Sequence, residues 1–245
     1  MGHNATSDRK EMPFLNHLEE LRWRIIKSLA AVVVGAVACF FLSDQLLAVL
    51  THPVTRLNSP PKIIFLSPIG MFLVRLNISI VGGIILGLPV IFFQVWRFVS
   101  PGLLESERRY VPEVVGLSTL CFLTGATLAY FVVLPMALKF LIGMTIQQIE
   151  PQFDIGKYIG FVLRLILAFG IVFELPVFSY FLTRIGLLTP EFLKRNRIYA
   201  IVAIFVLAAI LTPPDVLSQL FMAGPLFLLY EISIWVSLIA KKKGG

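Results

Sequence analysis

Two carboxylates and one aromatic residue have the types and neighbours to hold a cationic ligand. Glu20 lies in HLEELRWR and Glu107 in FQVWRFVSPGLLESERR, both beside arginines, and Phe98 belongs to the second stretch. A carboxylate and a guanidinium match as a two-toothed fork, which adds geometric selectivity to charge attraction and favours arginine over lysine. Two acids close to a low-dielectric boundary would draw such a cation strongly. Phe98 then serves either as an interfacial anchor or as an apolar contact for the ligand. A blander arrangement uses the same residues: Glu19, Glu20, Glu105 and Glu107 pair with Arg22, Arg24, Arg108 and Arg109 on a solvated face. The residues alone leave both open.

A second group of polar residues stands inside apolar runs. Glu174 lies in AFGIVFELPV and Glu231 in LFLLYEISIW. A carboxylate within a bilayer costs several kcal/mol unless it finds a partner or water, so each is a functional candidate; the alternative is a hydrogen-bonded glutamate joining helices. Pro176 follows Glu174 closely, frees a backbone carbonyl and can open a wet notch. Arg164 is expected to snorkel to the outer interface. Thr212 and Gln219 flank Pro213, Pro214 and Asp215. They can hydrogen-bond a neighbouring helix from another protein or cap the chain's own helix, for which Asp215 is a good N-cap.

The composition explains where these residues must sit. Of 245 residues, 58% are hydrophobic and 14% charged, against about 45–50% and about 25% for soluble domains. Lipid is the natural solvent for that excess. The net charge of +7 falls in short blocks between long apolar runs, the pattern of membrane topology and not of nucleic-acid binding. Cys39 and Cys121 lie in apolar runs at different expected depths and read as packing residues, not as a disulfide. The three histidines, His3, His17 and His52, are scattered, with no metal-ligand spacing. No cofactor is expected. The polar start, Met1 to Lys10, and the lack of a small-residue cleavage site argue that the first apolar run stays as a membrane helix.

An all-α membrane protein of one domain, 1–245, is therefore expected, with six spans at 23–42, 76–93, 113–136, 158–182, 198–211 and 216–240 and a short amphipathic helix at 13–22 opened by Pro13. Asp44 to Val74 reads as an outer loop with short helices, containing Pro53, and a second outer loop lies near 143–157. Pro89 and Pro225 interrupt spans two and six. Thr189-Pro190-Glu191 reads as a helix start, Thr capping and Pro at the first position. The fifth span has only 14 residues, about 21 Å against a hydrocarbon core of about 30 Å, so its outer turn sits low or the bilayer thins there. The N-terminal segment, the 97–112 loop, the 184–197 connector and the C-terminal tail hold 15 of the 21 Lys and Arg. Positive-inside bias then puts both termini in the cytoplasm, which an even number of spans allows.

Four ordered stretches carry a family resemblance over nearly the whole chain. HLEELRWR before the first span, FQVWRFVSPGLLESERR, AFGIVFELPV and LTPPDVLSQ are similar to motifs of the TatC family of twin-arginine protein translocases. The resemblance implies six helices in a concave, glove-shaped bundle that recognises the S/T-R-R-x-F-L-K motif in signal peptides of folded cargo. It implies that Glu20 and Glu107 bind the arginines, with Phe98 as the aromatic of that site. Glu174 resembles the family's intramembrane glutamate, Thr212 and Gln219 the polar patch that contacts the TatB or TatA membrane helix, and Pro53 the proline of the first outer loop. The implied partners are TatA- and TatB-like single-span proteins, signal peptides, further TatC copies and the bacterial inner membrane. The implied work is binding, not bond chemistry, with transport drawing on the proton-motive force. After FLSP many relatives carry a glutamate where this chain has Gly70.

Two rivals use the same residues differently. A proton- or ion-coupled secondary transporter would work through Glu174 and Glu231, but would show paired halves with matching broken helices, and no such symmetry is visible. An intramembrane enzyme would need a motif such as HExxH or GxSxG, and neither is present.

Overall fold

The computed structural model describes residues 8–57, 60–99, 111–143, 151–211 and 216–244. Helix α1 runs Asp8–Phe41, α2 Ser43–Thr55 and α3 Gly70–Val99. Helix α4, Val111–Leu128, passes through a π-helical turn, Ala129–Val133, into α5, Leu134–Gly143. Helix α6, Ile155–Val172, and α7, Leu175–Arg184, are separated by a turn at Phe173 and Glu174. Helices α8, Pro190–Arg195, α9, Arg197–Leu211, and α10, Val216–Gly244, complete the chain. Strand β1, Lys62–Ile64, pairs in parallel with β2, Gln152–Asp154, Ile63 lying opposite Phe153. That pairing brings the two expected outer loops to one side of the bundle.

Five of these helical stretches are long and apolar enough to cross a bilayer: Asn16–Phe41, Gly70–Val99, Pro112–Gly143, Ile155–Arg184 and Gln219–Lys241. The sixth, Arg197–Leu211, has 15 residues, about 22 Å, and falls short of the core as expected. Large apolar side chains stand outward, Phe41, Val34, Ile210 and Trp235 among them, which is costly in water and neutral in lipid. The interior is built where helices cross, around Val54, Ala129, Leu134, Val162, Phe169 and Ala208.

Several limits differ from expectation. The amphipathic stretch 13–22 is not a separate helix: it continues without a break into the first span, and Pro13 stands inside α1 instead of opening it. The charged residues there keep helical spacing, so the backbone has no reason to stop. The helix expected to begin at 76 begins at Gly70, shortening the first outer loop. Pro53, expected in the first outer loop, lies inside the short helix α2. Lacking an N–H, it leaves the Val49 carbonyl without its usual partner, and the Tyr130 hydroxyl, presented by the π-helical turn, donates to that oxygen at 2.6 Å. Tyr158 likewise donates to the Leu50 carbonyl at 2.9 Å. Two tyrosines thus hold α2 on the bundle.

Caps set other ends. The Asp154 carboxylate accepts from Lys157 N at 2.9 Å and starts α6. The Thr189 hydroxyl accepts from Phe192 N at 3.2 Å and starts α8, as its sequence requires. A buried Thr183–Ser237 hydroxyl pair at 2.6 Å joins α7 to α10.

Candidate functional site

The first site follows from how α1 meets α3. A Cβ on Gly83 would lie 2.5 Å from Ala36 N and 2.6 Å from the Val32 carbonyl oxygen, and one on Gly35 would lie 2.9 Å from the Gly83 oxygen. The two backbones touch there, as small residues allow in lipid, and the contact fixes the antiparallel register. Phe98 is fifteen residues after Gly83 and Glu20 fifteen before Gly35; at 1.5 Å per residue both lie about 22 Å from the crossing, toward the same end of the bundle. Arg24 and Gln94 obey the same count, eleven residues from each glycine.

The side chains meet accordingly. Arg24 donates from Nε to Glu20 Oε1 at 3.1 Å, with Nη2 on the same oxygen, and its Nη1 reaches Gln94 Oε1 at 3.4 Å. The His17 ring stacks on Phe98 with centroids 4.3 Å apart and planes 13° from parallel. His17 Nδ1 lies 3.6 Å from the other Glu20 oxygen, Oε2. Glu20 remains 37% exposed at the side chain, while Arg24 is 13% exposed. A carboxylate, an aromatic face and an opening to solvent are thus assembled at one end of α1 and α3. Glu107 lies outside the described residues.

The second site follows from how α4 meets α6. A Cβ on Gly125 would sit 2.6 Å from the Phe169 carbonyl oxygen, and one on Gly170 would sit 2.5 Å from the Phe122 ring. One turn further along both helices, that register sets Ser118 opposite Glu174. Glu174 is at the break before α7, with Pro176 just inside the new helix. It is 3% exposed; the Ser118 hydroxyl and the Phe122 backbone are its polar neighbours, but among the described residues neither carboxylate oxygen has a hydrogen bond of normal geometry. The Ser118 hydroxyl and the Trp96 Nε1 are buried and unpartnered in the same sense. Trp96 packs beside Val177, Val114 and Cys121 in the same α3–α4–α7 junction and edge-on against Phe181 at 4.3 Å.

The remaining candidates disperse. Glu231 lies within the candidate span Gln219–Lys241 and accepts from Arg197 Nη2 at 2.8 Å. Arg197 is the first residue of α9, so the acid is paired and level with the end of a neighbouring helix. The Gln219 amide donates to the Phe205 carbonyl of α9 at 2.9 Å, tying α10 to α9 within the chain. Thr212, Pro213, Pro214 and Asp215 lie outside the described residues. Arg164 turns back along its own helix, Nε donating to the Gly160 carbonyl at 3.0 Å, the direction expected for snorkelling.

Sequence reasoning passed over His17, Gln94, Tyr130 and the Gly35–Gly83 contact. His17 stands three residues before Glu20 and shares its helix face, a signal that was available. The glycine contact and the tyrosine bond join residues 48 and 81 positions apart, and no local pattern announces them.

Comparison with known proteins agrees with this architecture. A family model described as TatC, Sec-independent protein translocase protein, matches residues 16–225. The TatC of Carboxydothermus hydrogenoformans is 42% identical over 235 residues, covering 96% of each chain. The TatC of Aquifex aeolicus is 43% identical over 235 residues, covering 95% of this chain and 97% of its own. A crystal structure of the twin-arginine translocase receptor TatC superposes with a TM-score of 0.84 at 42% identity, over 91% of this chain and 99% of that one.

Proposed function

This chain belongs to the TatC family, as a multi-pass inner-membrane component of a Sec-independent protein translocase, and from that premise we propose that it is the receptor for twin-arginine signal peptides. The peptide docks at the end of α1 and α3, which faces the cytoplasm with both chain termini. Glu20 and Glu107 take the two guanidinium groups, and Phe98 offers an aromatic face. The observation that carries this reading is the meeting of Glu20 and Phe98 through His17. A half-exposed carboxylate beside an aromatic ring suits a planar cation, by bidentate pairing and by stacking.

TatB- and TatA-like helices then pack along α9 and α10 near Thr212 and Gln219, further TatC copies join the complex, and the proton-motive force drives export. The chain performs no bond chemistry. The transporter alternative loses support because Glu231 is engaged by Arg197, leaving one unpaired acid where it needs two.

The test is peptide binding to the purified protein in detergent, with export of a folded reporter followed in a strain lacking its own TatC. Glu107→Gln should weaken binding of a twin-arginine peptide about tenfold or more, the worth of a charge-assisted pair, and block export. Unchanged affinity would remove the central claim. A photo-crosslinker at position 107 should capture the precursor.

A further inference from the structure

We propose that His17 is an internal stand-in for the peptide's guanidinium: with no peptide bound, its imidazole occupies the Phe98 face and the second oxygen of Glu20, and a docking arginine displaces it. This rests on the receptor reading above and adds how that site is kept closed.

The two oxygens of Glu20 are held differently. Oε1 belongs to Arg24, which is largely buried and also reaches across to Gln94 on α3. Oε2 faces His17 Nδ1 at 3.6 Å, and that side chain is 46% exposed. A bidentate guanidinium needs both carboxylate oxygens in its fork, or one of them and a second acceptor. The oxygen that can be surrendered is the one beside His17. The same imidazole lies flat on Phe98, 13° from parallel, where a guanidinium plane would stack. One small planar nitrogen ring therefore fills both contacts that a peptide arginine would seek.

His17 suits the part. It sits one turn before Glu20 on the same helix, so it is always near the slot, and among the described residues its only link to another helix is the stack on Phe98. Arg24 cannot take this role, because leaving Glu20 would also sever the link to α3. The consequence is a small, constant handicap on every incoming cation. Contacts of this exposed kind are weak, so the handicap is up to about fivefold in affinity. A ligand with two adjacent guanidinium groups meets the same cost, but its second group adds an anchor of its own, so the cost is a smaller share of its binding than it is for a lone cation.

The experiment measures affinity of a fluorescent S-R-R-x-F-L-K peptide for the full chain in nanodiscs, comparing wild type, His17→Ala, His17→Arg and Glu20→Gln. His17→Ala should bind about two- to fivefold more tightly. His17→Arg, a permanent guanidinium beside Glu20, should bind more weakly than wild type. In wild type, the ring protons of His17 should carry the shift expected of stacking on Phe98 and lose it when peptide is added. Equal or weaker binding by His17→Ala, or an unmoved His17 signal on saturation, overturns the inference while Glu20→Gln still weakens binding about tenfold or more. If Glu20→Gln binds like wild type, the receptor reading itself has failed.

Discussion

Glu20 and Glu174 are both glutamates on helices of a membrane protein, yet their surroundings are opposite. Glu20 is half-open to solvent and shared among Arg24, His17 and, through His17, Phe98. Glu174 is closed off at a helix break, and neither of its oxygens is satisfied among the described residues. An exposed, paired carboxylate contributes little to stability because water and neighbours compensate one another, so it is free to exchange partners. A buried, unpaired one lowers stability by the desolvation of its polar atoms. The first region is arranged for ligand exchange at small structural cost. The second holds a polar group in place against the preference of the fold.

The two regions rest on separate helix crossings, and that separation can be broken deliberately. Gly83→Val places a branched side chain where a Cβ alone would lie 2.5 Å from backbone. Backbone cannot yield as a side chain can, so the expected loss is about 3 kcal/mol, at the upper end for overpacking. Because the same crossing sets the register of Glu20 and Phe98, peptide binding should fall with it. Gly170→Val strikes the Phe122 ring instead and should disturb the Glu174 junction while leaving peptide affinity near wild type. Thermal unfolding in detergent and peptide titration of both variants check this. Equal loss of binding in the two would mean that the crossings do not act independently.

A milder pair sharpens the contrast at the acids themselves. Glu20→Gln should reduce peptide affinity about tenfold or more, yet leave stability near wild type, because water screens an exposed pair. Glu174→Leu should do the reverse. Removing two unsatisfied oxygens from the α3–α4–α7 junction should raise stability by about 1–3 kcal/mol, with peptide affinity unchanged. Chemical denaturation and peptide titration of the same two preparations decide it. A destabilised Glu174→Leu protein would show that the carboxyl is satisfied after all, for instance by water.

Much of this architecture is legible in the sequence, for definite reasons. Helical spans are written in unbroken apolar runs, and the short α9 is visible because Arg197 and the Thr212-Pro213-Pro214 stretch bracket it. Thr189 announces α8 because an N-cap is a local hydrogen bond. The carboxylate and aromatic of the candidate site are marked by their arginine-rich surroundings. What escapes is long-range register. Glu231 stands well inside an apolar run, and its partner Arg197 opens a neighbouring helix 34 positions away, so nothing local announces the pair. Pro53 looks like a turn residue because its cost in a helix is local, while its compensation, the Tyr130 hydroxyl, comes from another helix. The continuity of α1 through 13–22 also escapes, since a change from amphipathic to apolar patterning alters the surroundings of a helix without ending it.

The smallest effect concerns a third carboxylate, which tests the claim about exposed pairs without involving the ligand site. Glu191 on α8 accepts from Lys241 Nζ on α10 at 2.8 Å, with both side chains more than half exposed. The hydrogen bond from Lys241 holds the Glu191 carboxyl below its ordinary value of 4.5. The folded protein therefore binds that proton less readily than the unfolded chain does. The stabilisation is fully present above the ordinary value and is lost as pH falls through the lowered one. Glu191→Gln removes it. The difference in Tm between wild type and variant should be small and flat near neutral pH, shrink on acidification below 4.5, and shrink at neutral pH when salt is added. A difference that persists in acid and in high salt would mean that Glu191 stabilises the α8–α10 contact by packing, and charge pairing would no longer explain why exposed acids in this protein exchange partners so cheaply.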